Sequence, residues 1–114
     1  MTAHLYCWDP KLSLDPRDAS FHEAVARLSR TPPSAKLVEF VSDLLLRYHD
    51  LTQTEETVWA DGPLIRNIIG DFINISLIWS RYQEATLFIA STAHRHGLNC
   101  YDVQTGDFYR AAVP

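Results

Sequence analysis

Residues 71–79, Asp-Phe-Ile-Asn-Ile-Ser-Leu-Ile-Trp, constrain the fold more than any other segment. In an extended chain Ile73, Ile75, Leu77 and Trp79 share one face, and Phe72, Asn74, Ser76 and Ile78 share the other. The first face is wholly apolar and the second is mixed. A strand of this kind belongs to a sheet covered by helices on one side and partly open on the other.

The rest of the chain supplies the partners such a strand needs. Residues 3–8, Ala-His-Leu-Tyr-Cys-Trp, read as a first strand, with Leu5 and Cys7 opposite His4, Tyr6 and Trp8. Asp9-Pro10 ends it, and residues 9–19 read as a loop. Ser20 and Glu23 have the spacing of a capping box, which predicts a short helix over 20–30 with Phe21, Val25 and Leu28 on one face. Thr31-Pro32-Pro33-Ser34 breaks it and opens a second helix, about 34–50. Its apolar stripe is Leu37, Val38, Val41, Leu44, Leu45 and Tyr48. Short strands are expected near Glu56–Ala60 and through Leu64–Ile69. Ser80 and Gln83 repeat the capping-box spacing, and a third helix should run to about His96 with Ala85, Phe88, Ile89, Thr92 and Ala93 inward. Gly97 fits a left-handed cap with Leu98 folding back. Residues 99–103 then form a strand, Thr105-Gly106-Asp107 turns, and Phe108–Arg110 returns along an edge.

Helices do not alternate singly with strands in this order, which disfavours a doubly wound parallel sheet. The order predicts one α+β domain over 1–114. Its mostly antiparallel sheet has 4–5 strands with helices packed on one face. It resembles a split β-α-β-β-α-β unit with an extra helix and a C-terminal hairpin.

Charge and composition narrow the function. The formal net charge is -4 and the only lysines are Lys11 and Lys36, which argues against nucleic acid as a partner. The 46% hydrophobic and 21% charged fractions are those of a globular chain, so disorder is not expected. The N-terminus lacks the pattern of a secretory signal, and no apolar stretch approaches the roughly 20 residues of a membrane span. Cys7 and Cys100 make no disulfide framework. A cytoplasmic location is the expectation.

No motif carries a reaction. His94, Arg95 and His96 are too closely spaced along a helix to share a metal, and positive charge suits a helix C-terminus. Asp9, Asp61, Asp71, Asp102 and Asp107 each flank a turn, where aspartate is expected anyway. Gly62, Gly70, Gly97 and Gly106 are isolated, so no phosphate loop exists. Cys7 and Cys100 could meet if the first and last core strands are antiparallel neighbours, but two buried thiols also serve as small apolar residues. No catalytic residue, metal site or cofactor is expected. The stretch from Asp50 to Asp61 differs in kind. Asp50, Glu55, Glu56 and Asp61 occur with no Lys or Arg between Arg47 and Arg66, and Trp59 lies among them. Charge that steers an encounter, beside an aromatic that anchors it, is an interface pattern.

Three segments carry a family resemblance. They are Leu5-Tyr6-Cys7-Trp8-Asp9-Pro10, Trp59-Ala60-Asp61-Gly62-Pro63, and His96-Gly97-Leu98-Asn99-Cys100-Tyr101-Asp102-Val103-Gln104-Thr105-Gly106. Together the chain resembles immunity proteins of contact-dependent growth inhibition and related polymorphic toxin systems. It departs from them at Val103, where proline is usual. The resemblance implies a bacterial, cytoplasmic inhibitor that binds the C-terminal domain of one cognate toxin, commonly a nuclease, and needs neither nucleic acid nor membrane. Charge then nominates Asp50, Glu55, Glu56, Trp59 and Asp61 as the toxin-binding residues. Two other classes stay open: a small thiol- or histidine-dependent enzyme, and a homodimeric structural module pairing through Phe108–Arg110 or the open sheet face.

Overall fold

The computed structural model describes residues 2–111. Its strands are β1 (Thr2–Trp8), β2 (Ile68–Ile69), β3 (Phe72–Ile78), β4 (Asn99–Asp102) and β5 (Phe108–Tyr109). Its helices are α1 (Phe21–Ala26), α2 (Ala35–Arg47) and α3 (Tyr82–Arg95). The strands form one antiparallel sheet in the order β2-β3-β1-β4-β5, the split arrangement with β5 added at one edge. The α+β class and the antiparallel sheet are as the sequence predicts.

Alternation sorts the sheet into two faces. Ala3, Leu5 and Cys7 of β1 lie with Ile73, Ile75 and Leu77 of β3 in the main core, which α2 and α3 cover. From α2 come Leu37, Phe40, Val41 and Leu44, all buried; the predicted stripe holds three of them and omits Phe40. From α3 come Ala85, Ile89 and Ala93. Ser34 starts α2 by accepting the Leu37 N–H, so both prolines stand ahead of the helix instead of inside its first turn. Gly97, at φ +69°, ends α3. The Leu98 N–H reaches the Ala93 carbonyl at 2.8 Å and the Gly97 N–H reaches His94 at 3.1 Å. This is a Schellman cap, and it seals Leu98 inside.

The opposite face divides in two. Towards the end of β1, the rings of Tyr6 and Phe72 meet Phe21 of α1, and Trp8 meets Phe108 in the same cluster, with Tyr101 alongside. The short α1 thus packs against this second cluster while the two long helices hold the first. Towards the start of β1, the face stays polar: His4 lies within hydrogen-bonding distance of Asn74 and Ser76.

Both predicted capping boxes are absent. The Ser20 N–H and hydroxyl both donate to Asp18, so this serine caps nothing, and α1 stops at Ala26 in a run of tight turns. Ser80 lies inside a 3-10 turn, Trp79–Arg81, and α3 starts only after it. That turn has a larger consequence. The strand ends at Ile78, and Trp79 leaves the core face the alternation assigns to it, becoming 49% exposed.

Cys7 and Cys100 are directly opposite in the β1–β4 register, so the predicted strand neighbourhood holds. Both are free and buried. Burial, and then the facing Cys100 thiol, push the Cys7 thiol well above its ordinary range. A buried neutral thiol is a poor nucleophile. A disulfide-exchange reagent should therefore label neither cysteine in the native protein and both in denaturant. Rapid native labelling would place them at the surface.

Candidate functional site

The segment between α2 and β2 has almost no regular structure, yet four side chains fix it. Trp59 is fully buried and donates its indole N–H to the Tyr48 carbonyl at 2.9 Å. Its ring meets Tyr48 edge to face. Thr57 donates its hydroxyl to the His49 carbonyl at 2.6 Å. Asp50 is only 7% exposed, and its Oδ2 accepts the Leu64 N–H across the base of the loop. Gly62 lies so near that a β-carbon there would stand 2.6 Å from the Asp50 Oδ1. The backbone also joins the sheet. Trp59 bridges Leu77, Ala60 donates to the Ser76 carbonyl, and Ile78 donates to the Val58 carbonyl. The strand expected near Glu56–Ala60 is reduced to this single bridge, and Leu64–Ile69 splits into a 3-10 turn (Leu64–Asn67) and β2.

These anchors correct the reading of the acidic stretch. Asp50 and Trp59 face inward and cannot meet a partner in this conformation. The Trp59 N–H and the Asp50 Oδ2 are spent on the loop's own backbone, since a buried N–H or C=O left unpaired would cost about 1–3 kcal/mol, while the Asp50 Oδ1 is buried without a partner. Glu55, Glu56 and Asp61 do face solvent. Among the described residues none of the three has a Lys or Arg within ion-pair distance. Both lysines are engaged at the other end of β1 and β3, Lys36 with Asp9 and Lys11 with Asp71, each at 2.9 Å.

An exposed aromatic, Trp79, follows the strand that this loop joins, whereas Trp59, the indole nominated from the sequence, is buried. The Val58–Ile78 hydrogen bond makes residues 55–58 and 79–81 leave the sheet side by side. The Trp79 ring is stacked at an angle on Tyr82. With Gln83, Gln104 and Thr105 it walls a hollow of about 430 Å³. Arg81 pairs with Glu84, which holds its guanidinium above the ordinary value, and the nearby charge of Glu56 adds to this. Both tryptophans border apolar alternation. Only the pairing of one of them with Leu77 separates inside from outside, and that pairing is tertiary.

The remaining candidates are scattered. His94 contacts the Arg110 carbonyl at 3.3 Å, while His96 contacts Asp43 at 2.6 Å, so the two rings turn to different neighbours. No group of three metal-ligating side chains forms among the described residues. Asp102 is 2% exposed and accepts from the Tyr82 hydroxyl, the Gln104 side chain and the backbone of Gln104 and Thr105. Gln104 in turn clasps both backbone groups of His4, at 2.8 and 3.0 Å. This network ties β4 to β1 and α3. No described helix is long and apolar enough to cross a membrane. The chain matches no family model, no curated protein and no solved structure.

Proposed function

We propose that this chain is a binding module, an immunity protein that occludes the basic surface of a cognate toxin domain in the bacterial cytoplasm. One observation carries the reading. Glu55, Glu56 and Asp61 stand exposed, without an ion-pair partner among the described residues, on a loop locked to the core, and the half-exposed Trp79 follows the strand that this loop joins. A nuclease toxin carries positive charge because it binds a phosphate backbone. Fixed carboxylates attract such a surface and speed encounter. A loop already held by Trp59 and Asp50 loses little further entropy on binding. Trp79 and its hollow offer the aromatic anchor that slows release. The family resemblance points the same way, and the reading requires no cofactor.

The test uses the toxin domain encoded immediately upstream. Joint reversal of Glu55, Glu56 and Asp61 to lysine is expected to lower the association rate at least ~10-fold at low salt and to flatten its salt dependence. Trp79→Ala is expected to cost about 2 kcal/mol in affinity, mostly through faster dissociation. If both variants bind with native rates and native salt dependence, this surface is not the toxin contact.

A further inference from the structure

The far end of the sheet carries a second feature, remote from the acidic loop. On the face away from α2 and α3, the loop after β1 does not close completely over the aromatic cluster. A cavity of about 440 Å³ opens between them, within the usual size range of small-molecule sites. Its walls include Trp8, Leu14 and Phe108, with Asn99 beside them. The Trp8 and Phe108 rings meet edge to face at 5.5 Å.

Two guanidinium groups converge on one of these rings. Arg110 stands 4.3 Å from the Phe108 centroid and Arg17 stands 5.6 Å from it. They differ in what they have left to offer. Arg17 is bound fork to fork by Asp15, at 3.0 and 3.2 Å, and that contact holds the Asp15 carboxyl below its usual range. Arg110 has no carboxylate within ion-pair distance among the described residues. Among the described residues one positive charge is therefore left over at the cavity, in a protein whose net charge is -4. The buried indole N–H of Trp8 also has no hydrogen-bond acceptor.

We propose that this cavity binds a small aromatic carboxylate. Its ring would lie among Trp8, Leu14 and Phe108, and its carboxylate would meet the Arg110 guanidinium. The planar fork of arginine matches a carboxylate in two hydrogen bonds. A single negative charge balances the one surplus cation. A dianion such as phosphate would be opposed by Asp15, and it has no apolar body to cover the rings.

The experiment titrates 1-naphthoate into protein labelled at the tryptophan indole nitrogens and follows the Trp8, Trp59 and Trp79 resonances. The expected result is a saturable shift of Trp8 with Kd on the order of 1 mM or tighter, with Trp59 unmoved. The neutral 1-naphthamide and the variant Arg110→Gln should each weaken it at least ~10-fold, and inorganic phosphate should shift nothing at the same concentration. Native Trp59 and Trp79 resonances in Arg110→Gln show that the variant is folded. No shift of Trp8, equal shifts with acid and amide, or a shift confined to Trp79 would overturn the proposal. The toxin-binding measurements do not bear on this site, because Trp8 pairs with Phe72 and the acidic loop joins the sheet at Leu77.

Discussion

Trp59→Ala is expected to destabilise the protein by about 3–5 kcal/mol, the range for removing a large buried ring. The indole is fully enclosed, and three of its roles fail together. Its ring volume becomes a cavity beside Leu77. The Tyr48 carbonyl loses its donor. The edge-to-face contact with Tyr48 goes too. Against a total stability of about 5–15 kcal/mol for a domain, such a loss removes a large share. Urea unfolding should show the midpoint falling by roughly 2 M, taking a slope of about 1–3 kcal/mol per M. Trp59→Phe keeps an aromatic ring but loses the N–H and part of the indole's volume; about 1–2 kcal/mol is expected from the two losses together. A change below about 1 kcal/mol for the alanine variant would mean that the loop does not depend on this indole. The result also governs how binding data are read. Toxin affinity lost with Trp59→Ala would follow from collapse of the loop, whereas Trp79 can be truncated without opening the core.

The contrast between those two tryptophans marks the limit of what local pattern reveals. Strands β1, β3 and β4 and helices α2 and α3 are legible because each buries one face of a periodic element, and the period is written in the residues. The facing of Cys7 and Cys100 is legible for a related reason: the order of elements fixes which strands are neighbours. Residues 50–67 have no period. Their path is set by single long-range bonds, Asp50 to Leu64 and Trp59 to Tyr48, which link groups far apart in sequence. Half of the proposed surface is legible all the same. Glu55, Glu56 and Asp61 are outside, as expected for carboxylates with no Lys or Arg near them in the sequence. Asp50 reads identically in sequence and is inside, since its carboxylate caps the loop's own backbone. The capping boxes fail for a similar reason. Ser20 meets a competing acceptor, Asp18, two residues away, and a 3-10 turn absorbs Ser80 before α3 begins.

The buried pair Tyr82–Asp102 makes a prediction that pH can test. The Tyr82 pKa is pushed up to about 12, first by burial and then by donation of its hydroxyl to Asp102. The folded protein therefore holds this proton more tightly than the unfolded chain, whose tyrosines titrate near ~10. Stability from the pair is fully present below about pH 10 and is lost as pH rises towards 12. At 1.36 kcal/mol per unit, the two units amount to on the order of 3 kcal/mol. Tyr82→Phe should cost a similar amount at neutral pH, because Asp102 then loses one donor while still buried; hydrogen bonds to charged groups contribute about 1.5–3 kcal/mol. The two stability curves are expected to converge between pH 10 and 12. Tyr6 and Tyr109, whose phenols burial also raises, titrate equally in both proteins and cancel in the difference. Asp102→Ala strands the donors of Tyr82, Gln104 and Thr105 at once and should cost 3 kcal/mol or more, on the order found for breaking a buried polar network. It would also release the clasp of Gln104 on His4, loosening β4 from β1. Curves for native protein and Tyr82→Phe that stay parallel through pH 12 would show that the phenol proton is not shared with Asp102. The close packing of α3 on β4 would then need another cause.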